Sequence, residues 1–209
     1  MTKVKILKST TTGGVYYEKN TIVTVQDSVA STLVASGIAT TTLSLVKSVT
    51  AATGVVAKEE GDEIVRKTTL TIAEFTQAIA SAALGFGKKL CDMPEGAIKI
   101  EQVVARITTK GATCTSQPII GVGTVVASGA VSVLSGTPTF VDVMTGFTGT
   151  AVSSTGSTSF KADTATAGVL DGTSTAKSLY LNMAAGWAVT ESLTISGYVD
   201  IFWKFLEDN

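Results

Sequence analysis

The chain has 209 residues, 44% hydrophobic and only 16% charged, with 16 Lys and Arg against 17 Asp and Glu for a net charge of -1. That is apolar mass for one good core of ordinary domain size with a smaller unit beside it, and so neutral a balance, without a long basic run, argues against nucleic acid as a partner. Histidine is absent, which removes the commonest general base and the commonest metal ligand and weighs against an enzyme.

The opening MTKVKILKSTTTGG lacks the apolar h-region and cleavage site of a secretory signal, so synthesis and retention in a cytoplasm are expected. KVKILK alternates Val4 and Ile6 against lysines, Thr12-Gly13-Gly14 turns the chain, and VYYEKNTIVTV reads as a second strand. Asp27 then reads as a helix N-cap. Val29, Leu33 and Val34 form an apolar stripe at helical spacing, and Gly37 with Ile38 is a left-handed stop. Residues 1–38 are therefore expected to form a small β-β-α module with little core of its own.

From Ala39 to Glu63 the periodicity fades, and the segment ends on Glu59, Glu60, Asp62 and Glu63. Residues 39–63 read as a linker or extended arm, the carboxylates being solvated charge rather than a cation site, since nothing holds them in a cage.

Residues 64–209 read as a β-sandwich, jelly-roll-like, because short strands recur at roughly ten-residue spacing with glycine-rich punctuation. IVRKTTLTI is a strand, and TIAEFTQAIASAALG suits either a short helix or a strand with an irregular edge. Pro94-Glu95-Gly96 turns the chain into a β-rich run. No charge occurs between Lys110 and Asp142, but Gly121, Gly123, Gly129, Gly136 and two bracketing prolines weaken a membrane helix there. Two valine-rich strands joined at Ala127-Ser128-Gly129 are expected instead, with Val131 and Val133 in the second. PTFVDVMTG is a further strand, Gly149 to Ser159 a loose stretch, and KSLYLNMA and SLTISGYVDIFWKFL close the chain.

Chemistry is hard to find along this text. Cys91 and Cys114 are too few for a disulfide framework or a zinc site and read as buried thiols. GVGTVVASG and GFGKK lack the spacing of nucleotide-binding loops. Asp142, Asp163 and Asp171 could supply a glycosidase pair only if folding brought two together. No catalytic residue, cofactor or metal is assigned.

In the closing strand Val199, Ile201, Trp203 and Phe205 share one apolar face, while Tyr198, Asp200, Phe202 and Lys204 share a mixed one. The first face should complete the core. Tyr198 and Phe202 are the candidate subunit-interface residues.

The ordered blocks IIGVGTVVASGAVSVLSGTPTFVDVMTG, LYLNMAAGWA and TISGYVDIFWKFL resemble head decoration (cement) proteins of tailed bacteriophages, and residues 3–39 are similar to a short module at the start of several phage virion proteins. The resemblance implies a jelly-roll-like domain and a structural protein on the outer surface of the assembled capsid, made in the host cytoplasm. It implies the major capsid protein and copies of itself, as a homotrimer, for partners, with neither nucleic acid nor membrane. The N-terminal module and arm are then expected to touch the shell, the reverse arrangement, with the β domain seated on it and the small unit exposed, being the alternative. A receptor- or glycan-binding head fibre or surface adhesin is the alternative, engaging sugar through STGSTSFKADTATAGVLDGTSTAK, although such loops are poor in exposed aromatics.

Overall fold

The computed structural model describes residues 1–18, 22–40, 48–61, 66–165 and 168–206. Two units divide the chain, Met1–Val46 and Lys47–Asn209.

In the first unit, β1 (Thr2–Ile6) leads to a hairpin of β2 (Thr10–Thr12) and β3 (Val15–Tyr17), turned by Gly13 and Gly14 at φ 59° and 78°. Then come β4 (Ile22–Val25), helix α1 (Asp27–Ala35) and β5 (Ala39–Thr40). Both β4 and β5 pair antiparallel with β1. Val4 and Ile6 project to the helix side, where Val25, Ala30, Leu33 and Ala39 complete a small core. The stretch expected as one second strand is thus two strands, with residues 19–21 outside the described residues.

Asp27 is not the N-cap. Gln26 holds that position without a side-chain bond, and Asp27 is the first helical residue. The Thr2 hydroxyl donates to Asp27 at 2.7 Å, so a strand contact captures the carboxylate that capping would have used. A negative charge in the first turn still complements the helix dipole. Gly37 does end the helix, at φ 68°.

The second unit is mainly β and antiparallel. Its strands are β6 (Thr50–Ala51), β7 (Val55–Gly61), β8 (Arg66–Ile79), β9 (Gly85–Asp92), β10 (Ala97–Lys110), β11 (Ile119–Gly123), β12 (Met144–Thr148), β13 (Ser157–Thr164), β14 (Leu170–Asp171), β15 (Ser178–Ala184) and β16 (Glu191–Phe205). One sheet has the order β13-β10-β16-β8-β7, with β14 also on β10; it contains the long strands. The other has the shorter strands in the order β12-β11-β15-β9-β6. Leu70, Val103, Ile107, Val199 and Trp203 from the long sheet and Leu90, Ile120, Val122, Leu179 and Leu181 from the short one belong to a single buried cluster, the arrangement of a β-sandwich.

Several expectations change. Residues 39–63 are not one linker. Ala39–Thr40 pairs with β1, residues 41–47 lie outside the described residues, and β6 and β7 are strands of the two sandwich sheets. Charge hid β7, where Val55 is buried but Lys58 and Glu60 are exposed on an edge strand, a position where charge discourages unwanted pairing. Glu59 turns the other way and accepts the Thr68 hydroxyl and the Val49 amide, both at 3.2 Å. Asp62 and Glu63 lie outside the described residues.

TIAEFTQAI is strand, continuous with β8. The second valine strand does not form. After β11 the chain makes an excursion with two single-turn 3-10 helices, Leu134–Gly136 and Pro138–Phe140, and only Met144–Thr148 returns to the sheet. Ala127, Leu134 and Phe140 pack there with Ala184 of β15 as a separate apolar cluster, which leaves Val133 exposed. Finally, the expected loose and loop region contains β13, eight residues paired with β10 along its whole length, and the short β14. Among the described residues no helix is long and apolar enough to cross a membrane.

Candidate functional site: the outer face of the long sheet

β16 lies between β10 and β8, so its inward side chains sit at the centre of the unit. Val199, Ile201 and Trp203 are fully buried, and Phe205 is half-buried. The Trp203 indole donates to the Thr68 hydroxyl at 2.8 Å, and the Arg66 guanidinium lies 4.9 Å from its ring centre. Gly197 takes φ 144° where the register to β8 shifts, and a Cβ there would come within 2.2 Å of the Arg106 carbonyl oxygen.

Outward side chains line up in rows across the strands. Tyr198 stands opposite Arg106 on one side and Thr71 on the other, and Arg106 in turn stands opposite Phe160 of β13. The Arg106 guanidinium lies 5.4 Å from the Phe160 ring centre and 6.0 Å from that of Tyr198, so one cation is flanked by two aromatic rings. Phe160 is 56% exposed, high for an aromatic residue on a sheet. The next row centres on Asp200, which accepts the Thr69 hydroxyl and pairs with Lys67 at 3.1 Å. Phe202 follows, opposite Gln102 and Lys67, with the Lys67 ammonium 5.8 Å from its ring.

The two candidate interface residues therefore share one face but differ in setting. Tyr198 belongs to the Phe160–Arg106 row, and Phe202 neighbours a lysine already bound to Asp200. Elsewhere on the face Lys58 pairs with Glu60 at 2.6 Å and Lys204 with Glu101 at 2.8 Å. The Lys204 contact holds the Glu101 carboxyl below its ordinary range.

Phe160 and Arg106 were missed from the sequence. The signal for Arg106 was present, because Val103, Ala105 and Ile107 alternate inward and leave it outside. Phe160 gave little signal, being surrounded by Ser, Thr, Lys and Asp that mask strand periodicity.

The other candidate groups are absorbed locally. Asp142 accepts the amide and hydroxyl of Thr124, Asp163 accepts the Thr145 hydroxyl and pairs with Lys161, and Asp171 accepts from Thr173. Bonds from Thr145 to Asp163 and from Thr173 to Asp171 hold both carboxyls below the ordinary aspartate range. Asp171 is thus committed to its own turn, Asp142 to the start of the excursion after β11, and Asp163 to β12 of the other sheet. Cys91 and Cys114 are free buried thiols, and burial pushes Cys91 up to about 12. Among the described residues no group of three or more Cys, Asp or Glu could hold a metal ion. Among the described residues, the outer sheet face brings Phe160, Tyr198 and Phe202 together with Arg106, Lys67 and Asp200.

No protein-family model matches the chain, and no curated protein matches it.

Proposed function

We propose that the protein is a structural virion component that binds the outer surface of an assembled phage capsid and stabilises it by bridging neighbouring major capsid subunits, acting as a homotrimer. The support comes from the ordered sequence blocks that resemble decoration proteins and from one geometric observation. The long sheet turns an open face outward whose aromatic and charged side chains are ranked in rows, a surface suited to broad contact with another chain.

The physics of such a role needs no catalytic group. A protein that binds only the assembled shell stabilises that state by mass action, and many copies of a modest contact add up around a particle. A stiff antiparallel sandwich suits a staple, because little conformational entropy is lost when it docks.

Adding the purified full chain to undecorated capsids tests the reading. Co-sedimentation with the shell and a raised temperature of shell disruption are expected; absence of both overturns it. Light scattering of the free protein tests the trimer separately.

Exposed Phe160 gives the glycan-binding alternative its one favourable observation, since an aromatic ring on an open face can stack on a sugar. Binding to surface glycans of host cells, with none to capsids, decides for that reading.

A further inference from the structure

We infer that the Phe160–Arg106–Tyr198 row is the anchor of the docking surface and that its partner is a different protein chain that presents a carboxylate to Arg106. This deepens the proposed function and rests on it, since the partner surface is then the shell.

Charge accounting across the face carries the inference. Three of its carboxylates are already taken, Glu60 by Lys58, Asp200 by Lys67, and Glu101 by Lys204, with Lys99 3.7 Å away, while Glu74 of β8 stands exposed. Arg106 and the exposed Lys110 of β10 both stand, among the described residues, without a carboxylate, and of the two only Arg106 lies beside aromatic rings. Among the described residues its guanidinium makes no ion pair and no hydrogen bond, and its contacts are the two rings. A guanidinium carries five donors in a planar fork that fits a carboxylate with two parallel bonds. Flanking rings restrict the side chain beforehand, so less entropy is lost when the carboxylate arrives. Arginine and tyrosine, with an exposed aromatic neighbour, are the residue types that dominate interface energetics.

The same accounting disfavours this face meeting itself. In a twofold contact Glu60, Asp200 and Glu101 are already held by lysines, so self-association would satisfy Arg106 only through a carboxylate such as Glu74 of β8, in a register that lays β10 of one copy over β8 of the other. An acidic side chain on another protein supplies what the row lacks.

Arg106 is exposed, so replacing it leaves the core untouched. Full-length Arg106→Glu and Arg106→Gln would be titrated against undecorated capsids beside the unmodified chain, with thermal unfolding as a folding control. At least about tenfold weaker binding is expected for both, and more for the glutamate. Arg106→Lys places an amine at the same point, and zero-length carbodiimide coupling followed by mass spectrometry should join it to an Asp or Glu of a capsid subunit. If the unmodified chain binds and all three variants bind equally well, the inference fails while the proposed function stands. If the unmodified chain itself does not bind capsids, the proposed function fails. Coupling of the lysine to another copy of this chain, or a change of solution mass in Arg106→Glu, identifies a self-contact and overturns the inference. Loss of glycan binding alone in the variants overturns it in favour of a sugar ligand.

Discussion

The Asn182 side-chain carbonyl, on β15 in the short sheet, accepts the Ala127 amide at 2.9 Å from the excursion that covers that strand. Its amide group donates to the Val125 and Phe140 carbonyls, each at 2.8 Å, so one fully buried side chain holds three points of a segment without regular strand structure. Gly87 beside it is tightly enclosed, since a Cβ there would meet the Asn182 oxygen at 2.3 Å.

Asn182→Leu should therefore destabilise the sandwich by about 2–4 kcal/mol, because it leaves one amide and two carbonyls buried without partners. Chemical denaturation measures the loss, and hydrogen exchange should localise it to residues 124–141. Uniform exchange across both sheets would show that the excursion does not depend on this anchor.

Gly197 is the second fixed point. Gly197→Ala forces a side chain into φ 144° and against the Arg106 carbonyl, on the central strand of the long sheet. A loss of several kcal/mol, or no soluble protein, is expected. A thermal midpoint equal to that of the unmodified chain refutes this.

Truncation before Asp200 should abolish folding of the second unit. It removes Ile201 and Trp203 from the core and leaves part of β8 and of β10 without their shared neighbour. Trp203→Ala alone should cost about 3–5 kcal/mol. Circular dichroism of both variants provides the check, and a folded truncation would contradict the central place of β16.

Glu191 gives the fold an acid-sensitive point. Its carboxylate accepts the Thr113 and Cys114 amides, each at 2.9 Å, and the Thr113 hydroxyl at 3.0 Å; the Thr113 amide is the chief reason its carboxyl lies below the ordinary glutamate value of 4.5. With the folded value below the unfolded one, the anchor contributes fully above the ordinary range and is lost as pH falls through the folded value. Exchange at residues 111–116, corrected for intrinsic rates, should accelerate as pH falls below the ordinary glutamate range. Glu191→Gln should show the loosened segment already at neutral pH.

Cys91 should resist alkylation in the native protein at about pH 8, because burial pushes its thiol up to about 12 and the thiolate is the reactive form. Labelling should begin only with denaturant, and rapid native labelling would contradict the burial.

What could be read from the sequence depended on how cleanly burial alternates. KVKILK, AIKIEQVVARITTK and the closing strand place apolar and polar residues at period two, and each is a strand with Val4, Ile107 and Ile201 inside. β7 and β13 escaped because edge strands need only one covered side chain here and there, which leaves room for charge and hydroxyls. The valine-rich excursion misled for the opposite reason. Its apolar residues satisfy a local cluster under Asn182, a polar contact made 55 residues away in sequence.

The sequence by itself determined the mainly β character, the inward and outward faces of the last strand, and the place of Tyr198 and Phe202 on its mixed side, since alternation is a local property of the chain. Only the tertiary structure decided that Phe160 and Arg106 join Tyr198 in one row. Strand neighbours are chosen by pairing across long separations, and which cation ends beside which ring, or without a carboxylate, follows from that register.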